Sequence, residues 1–328
     1  RFLKLFSHQE LVLLDKFSKF SSFNSQPIKW IFDQMWSEVS AVRDLGIIKK
    51  QTKLTNEDEV LILSGPMIYV GDPLSKTPID GRSNRDYVTI EHGLMDVGIR
   101  PRTNFQYTVS KEEYSKKIQR IEWSGDLLNS QYRLVSRRML APDSERCLIS
   151  AIIPPGVDHI NTLVAMAFED RSGLLNAAAM FFSIPYDFLI RATGASDLIK
   201  SVVTELPWLD VGKLAASLSL SLSSINANYE ELANEEFNYI DLHRAEFIPS
   251  SVLKEIEDFN NSQGKKGLRT ALSRRFALVL IDVLVSRKIG IKLEELCAIY
   301  TQNFPTLIDN ESSTYYDQAG NIVWTNYV

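Results

Sequence analysis

Two adjacent prolines, Pro154 and Pro155, followed by Gly156, constrain the fold of this chain more than any other feature. They remove two backbone donors in succession, so neither a helix nor a central strand runs through them. Just before them, Cys147 to Ile153 is an apolar run long enough for a buried strand and too short for a helix. Upstream, Tyr132 to Leu140 is an extended run, and Ala141-Pro142-Asp143-Ser144 has the chemistry of a turn. Downstream, Thr162 to Phe168 is a third apolar run. The stretch therefore reads as strand, turn, strand, sharp stop, strand. It carries four arginines, Arg133, Arg137, Arg138 and Arg146. So many cations on a partly buried sheet are unusual unless something anionic docks there. Residues an even number apart on a strand point the same way, so Arg133 and Arg137 share a face and Arg138 takes the other.

The run R-x-x-x-R-R from Arg133 to Arg138, followed by E-R-C-L-I-S-A-I-I-P-P-G-V-D-H-I-N-T from Glu145 to Thr162, resembles a known family. It is similar to the C-terminal specificity region of large N6-adenine DNA methyltransferases of restriction-modification and related phage-defence systems, fused methylase-nuclease enzymes included. The likeness extends to L-S-G-P-M-I-Y-V-G-D-P-L-S-K-T-P (Leu63 to Pro78), I-G-I-K-L-E-E-L-C-A-I-Y (Ile289 to Tyr300) and Y-Y-D-Q-A-G-N-I-V-W-T (Tyr315 to Thr325), and so covers most of the chain. The resemblance implies target recognition: the partner is double-stranded DNA, read for a methyltransferase domain or subunit that precedes this chain. S-adenosylmethionine would then bind that methylase part and not this one. Consistent with that expectation, the chain starts at Arg1 rather than Met and reads as a fragment or as a chain with a trimmed start.

The net charge of -5 weighs against a nucleic-acid partner. Charge is nevertheless segregated. From Lys265 to Lys288 seven cations, among them Lys265, Lys266, Arg269, Arg274 and Arg275, face one carboxylate, Asp282. A locally basic face binds phosphate even on an acidic protein; the plainer reading of such a run is a solvated helix face. The loop from Gly71 to Arg85 adds Lys76, Arg82 and Arg85 as phosphate-facing candidates. Arg146, next to Glu145, reads equally well as an ion-pair partner or as a DNA contact. Cys147 and Cys297 both lie in apolar contexts and read as reduced, buried thiols of a cytoplasmic protein. No stretch is apolar enough for a membrane span.

In chain order, residues 1–50 read as a helical connector, with helices from His8 to Phe20 and Ile28 to Leu45. Residues 51–208 read as an α/β DNA target-recognition domain. Strands are expected at Glu59–Ser64, Met67–Val70, Tyr87–Ile90 and Phe105–Val109, and a helix capped by Ser110 runs to about Ile121. After the central sheet come a helix from Leu174 to Phe182 and strands at Phe188–Ala192 and Ile199–Leu206. Residues 209–328 read as a helical C-terminal region ending in a short strand. Within it, S-L-S-L-S-L-S from Ser217 to Ser223 alternates with strand period, but the helix formers around it favour helix. Clearer helices follow at Ser251–Phe259, Gly267–Lys288 and Lys292–Gln302. The fold class is therefore mixed α/β: a small twisted, largely antiparallel sheet packed with helices, then a helical C-terminal part.

Catalytic motifs are missing. An adenine methylase grips the flipped base with a [DNS]-P-P-[YFW] tetrad. The nearest run, Ser183-Ile184-Pro185-Tyr186, lacks the first proline and follows a helix; it reads as a helix-to-strand turn with Tyr186 packed against it. No Asp or Glu has Lys two residues on, as common metal-dependent nucleases require. His8, His92, His159 and His243 are scattered without zinc spacing. Asp158-His159 has no nucleophile motif to serve, and His159 reads as a loop residue with one hydrogen bond. What remains is binding chemistry, with two readings open: DNA recognition, and a protein-interaction scaffold within a phage-defence complex.

Overall fold

The computed structural model describes residues 7–54, 60–80, 85–94, 101–242 and 248–325. In chain order, α1 (His8–Phe17) leads to β1 (Trp30–Asp33), β2 (Ile48–Leu54), β3 (Leu61–Leu63), β4 (Lys76–Pro78), β5 (Tyr87–Thr89) and β6 (Arg102–Tyr107). Next come α2 (Lys111–Ser115), β7 (Arg133–Arg137), β8 (Ser150–Ile153), β9 (Val157–His159) and β10 (Leu163–Phe168). Then follow α3 (Arg171–Phe182), α4 (Ile184–Thr193), α5 (Lys200–Val203), α6 (Lys213–Ser223) and α7 (Glu230–Glu236). The chain ends with α8 (Ser250–Asn261), α9 (Ala271–Ile289), α10 (Leu293–Asn303), α11 (Pro305–Ser312) and the hairpin β11 (Tyr315–Tyr316) to β12 (Ile322–Trp324).

The expected central stretch is the core of the fold. β7, β8 and β10 form an antiparallel sheet in the order β1-β10-β7-β8. Every residue of β8 and β10 is buried, because α3 lays Ala177, Ala178 and Ala179 against the sheet and small side chains permit close approach. At the β7–β8 pairing Ser136 lies opposite Ser150, and their hydroxyls hydrogen-bond at 2.7 Å, satisfying two polar groups that no water reaches. Pro154 and Pro155 end β8 as the loss of two donors requires. The chain then turns at Gly156 (φ +78°) into β9, which pairs in parallel with β3. The fold class is the mixed α/β arrangement expected, with small antiparallel sheets, packed helices and a helical C-terminal part. No single described helix is long and apolar enough to cross a membrane.

The Ser-Leu alternation of α6 is helical after all. Ser219, Ser221 and Ser223 donate to the carbonyls of Ala215, Leu218 and Ser219, so these serines satisfy themselves within the helix and can be buried on every side.

Several local expectations are overturned. Phe188 to Ala192 lies in α4, not in a strand. Ser183 caps it by accepting from the Tyr186 amide, Pro185 sits in its first turn, and Gly194 closes it in the left-handed region (φ +62°). A short apolar run buried all round fits a helix as well as a strand, and here the caps decide. Ile199 to Leu206 contains the short helix α5 and a turn rather than an edge strand. Ile28 to Leu45 is not one helix. Trp30–Asp33 forms β1 because the open edge of β10 recruits it, Trp30 pairing with Phe168 and Asp33 with Ala165, and only a single π-turn follows at Ser40–Asp44. Gly65–Met67 is a 3-10 turn around Pro66, so Met67–Val70 is no strand. The helix opened by Ser110 stops at Ser115. Cys147 is buried as expected, whereas Cys297 is exposed on α10.

A second, smaller core lies beside the main one. It gathers Trp36, Ile47, Ile48, Phe105, Tyr114 and Ile121 beneath the antiparallel ribbon β2–β6 and the helix α2.

Candidate nucleic-acid interface

The sequence nominated twelve cations, and several of them point inward. Arg133 on β7 is wholly buried. One terminal nitrogen donates to the Val157 carbonyl, while Nε and the other terminal nitrogen make no hydrogen bond among the described residues. Burial pulls its pKa down, opposed by the nearby charges of Asp158 and Asp33. Arg137 is half-buried and donates through Nε to Gly65 O and through a terminal nitrogen to Ile68 O, both at 2.8 Å, pinning the 3-10 turn to the sheet. Arg138, on the opposite face, pairs with Asp197 at 3.5 Å.

Arg146 resolves to the ion-pair alternative, though not with Glu145. Its Nε lies 3.0 Å from Asp187 Oδ2 and a terminal nitrogen donates to Phe182 O. Asp187, fully buried on α4, also accepts from the amides of Cys147 and Leu148 and from Arg191 Nε at 2.7 Å. Four donors on one carboxylate explain why an arginine is tolerated in the core here.

In the C-terminal region, Arg274 is buried on α9 and donates to the carbonyls of Leu222, Leu268 and Gly71. Arg269 donates to His92 O and Ile225 O. Arg275 pairs with Glu311. Lys265 approaches Glu230 at 3.9 Å and Lys266 is exposed, both in the turn before α9. Lys76 is half-buried on β4 opposite Thr89, and Arg85 is exposed. Arg82 and His243 lie outside the described residues.

Four of the twelve, Arg146, Arg269, Arg274 and Arg275, converge on one cavity of about 280 Å³ together with Asp72, His92, Glu145 and Glu311. His92 Nε2 lies 3.0 Å from Asp72 Oδ1. Burial pushes the Asp72 carboxyl up, but the Arg274 charge and the His92 hydrogen bond outweigh it and hold the group below its ordinary range. The cavity is thus an internally balanced set of charges rather than an open cationic face.

The other candidates from the sequence are structural. Asp158 is fully buried and accepts from the hydroxyls of Tyr107 and Tyr114; His159 is buried at the end of β9, with Nδ1 3.1 Å from Ile160 O. Burial and the Arg133 charge push the His159 pKa down to about 3, so it stays neutral and serves no acid/base pair at the surface. Ser183-Ile184-Pro185-Tyr186 is a helix-to-helix junction in which the Tyr186 hydroxyl donates to Pro207 O at 2.6 Å. Among the described residues no three His, Cys, Asp or Glu side chains gather as a metal site.

Sequence reasoning missed the lobe built on the second core. Residues 36–54 and 101–131 carry nine Lys and Arg against six Asp and Glu, a balance of +3 in a chain whose total is -5. Lys49 and Lys50 on β2, Lys111 on α2, and Lys116, Lys117 and Arg120 after it are all exposed. The available signal was weak, since these cations are spread over two segments that only the β2–β6 pairing joins.

A scan against protein-family models gives no match, and neither does a search of curated proteins.

Proposed function

We propose that this chain is the double-stranded DNA recognition module of an N6-adenine DNA methyltransferase or fused restriction-modification enzyme, working in the cytoplasm beside a methylase part that holds S-adenosylmethionine. The motif resemblance motivates the reading. The observation that carries it is the exposed basic lobe, in which Lys49, Lys116 and Lys117 stand on a two-stranded ribbon and the turns after α2. A two-stranded ribbon has the width to enter a major groove, and exposed lysines neutralise phosphates. Arg133, Arg146 and Arg274 hold the fold in this reading and touch no DNA.

Salt-dependent binding to cognate and scrambled duplexes tests it. In the Lys49→Glu, Lys116→Glu, Lys117→Glu variant, affinity falls for all sequences alike, and the slope of log affinity against log salt flattens by about 0.9 per lost contact. Unchanged affinity and slope overturn the assignment of this lobe.

A second reading, a protein-interaction scaffold, is favoured by the terminal hairpin, where Tyr315, Val323 and Trp324 are 62%, 61% and 53% exposed. So much exposed apolar surface on one short hairpin is typical of interaction sites. Wild-type protein that binds no duplex at low salt would leave this reading standing and end the first.

A further inference from the structure

The basic lobe holds a small cavity of about 160 Å³ that none of the sequence motifs foreshadowed. It is lined by Phe105 and Tyr107 of β6, Tyr114 and Lys111 of α2, Lys53 of β2, and Val109 between β6 and α2. Local structure explains how these side chains meet. The β2–β6 register slips between Lys50 and Lys53, and beyond the slip Lys53 stands directly opposite Thr103. Directly opposed residues share a face, so Lys53 comes over the face that also bears Phe105 and Tyr107. Such a bulge is a common means of re-aiming one side chain beside a site. Ser110, accepting from the Glu113 amide at 3.2 Å, starts α2 immediately after the ribbon and brings Lys111 and Tyr114 to the same cavity.

The aromatic wall is fixed before any ligand arrives. The rings of Tyr107 and Tyr114 lie with centroids 3.9 Å apart. Both hydroxyls end on the buried carboxylate of Asp158, and Trp36 Nε1 donates to the Tyr114 hydroxyl at 3.1 Å. Side chains so held lose little freedom on binding. The size is selective as well. Drug-sized ligands occupy roughly 300–1,000 Å³, whereas an apolar cavity of about 150 Å³ holds a benzene ring. This cavity therefore takes one six-membered ring and little more. Aromatic faces favour stacking on a base, and an exposed ammonium at Lys111 favours the phosphate attached to it.

We propose that this cavity receives a single unstacked nucleotide of the bound DNA, its base against Tyr107 and Tyr114 and its phosphate at Lys111. The proposal rests on the DNA-recognition reading and deepens it. It predicts that a duplex with one mismatched pair, which is easier to unstack, binds the wild type at least about tenfold tighter than the matched duplex. Val109→Phe fills the cavity and abolishes that preference, so the variant binds mismatched and matched duplexes equally. Lys111→Ala, an exposed change that circular dichroism verifies as folded, reduces the preference several-fold. Tyr107→Phe keeps the ring and retains it. Equal affinity of the wild type for both duplexes, with salt-dependent binding preserved, overturns the cavity assignment while the DNA reading stands. Binding of neither duplex at any salt overturns both. Deoxycytidine monophosphate, whose base is a single six-membered ring, that saturates the wild type but not Val109→Phe, with no mismatch preference, reassigns the cavity to a free nucleotide and overturns the DNA step.

Discussion

Arg137 separates a structural arginine from a base-reading one. Read from the strand alone, it is a rigid guanidinium suited to a bidentate contact with guanine. In the fold it donates to Gly65 O and Ile68 O at 2.8 Å each. Replacing it with alanine removes both bonds, leaving Gly65 O with only the Ile68 amide at 3.4 Å and taking from Ile68 O the guanidinium donor. A hydrogen bond to a charged group contributes about 1.5–3 kcal/mol. Arg137 is only half-buried, so the low end applies, and two such bonds sum to about 3 kcal/mol. That is roughly a hundredfold in the folded-to-unfolded ratio. Arg137→Lys keeps one donor in reach and loses about half as much. Urea unfolding followed by circular dichroism reads the effect as a lower midpoint with an unchanged slope. Binding to a panel of single-base duplex variants, measured on the same proteins, keeps its rank order. A stability loss below about 0.5 kcal/mol, combined with relaxed preference at one base position, would refute the reasoning and return Arg137 to the DNA groove.

Two further expectations follow from buried groups. Burial raises the Asp282 carboxyl to about 6 from 3.8, against the lowering charges of Arg146 and Arg275. Between those values the folded state holds a proton that the unfolded chain has released, so this group's contribution to stability falls as pH rises through the window. Asp282→Asn keeps an oxygen for the Ile184 amide and should gain on the wild type by roughly 2–3 kcal/mol between pH 3.5 and pH 7; a difference that does not vary with pH would contradict this. Gly267 crosses α6 so closely that an added Cβ would lie 2.5 Å from Ser221 O and 2.6 Å from Ser224 O, both backbone atoms. Gly267→Ala should therefore lower stability by about 1–3 kcal/mol, and a melting temperature within experimental error of the wild type would show that the crossing yields freely.

The prolines at 154 and 155, the apolar run before them and the turn at Ala141–Ser144 determined the central strands without help, because donor loss and turn chemistry act locally. The C-terminal helices were legible for the same reason: their apolar stripes repeat over enough turns to outweigh the alternatives. Tertiary structure decided the rest. Trp30–Asp33 became a strand because β10 offered an open edge, and Phe188–Ala192 became a helix because its caps outranked a short apolar run. The candidate site was the least legible part. A sequence shows that Arg146 and Arg274 are cations but not that Asp187 and a set of backbone carbonyls lie within reach of them, and whether a guanidinium faces solvent or core turns on those partners. The exposed lobe was invisible for the converse reason. Lys49 and Lys117 are far apart in the chain, and only the pairing of β2 with β6 and the packing of Tyr114 beneath them bring their charges onto one small body whose field a phosphate backbone would meet.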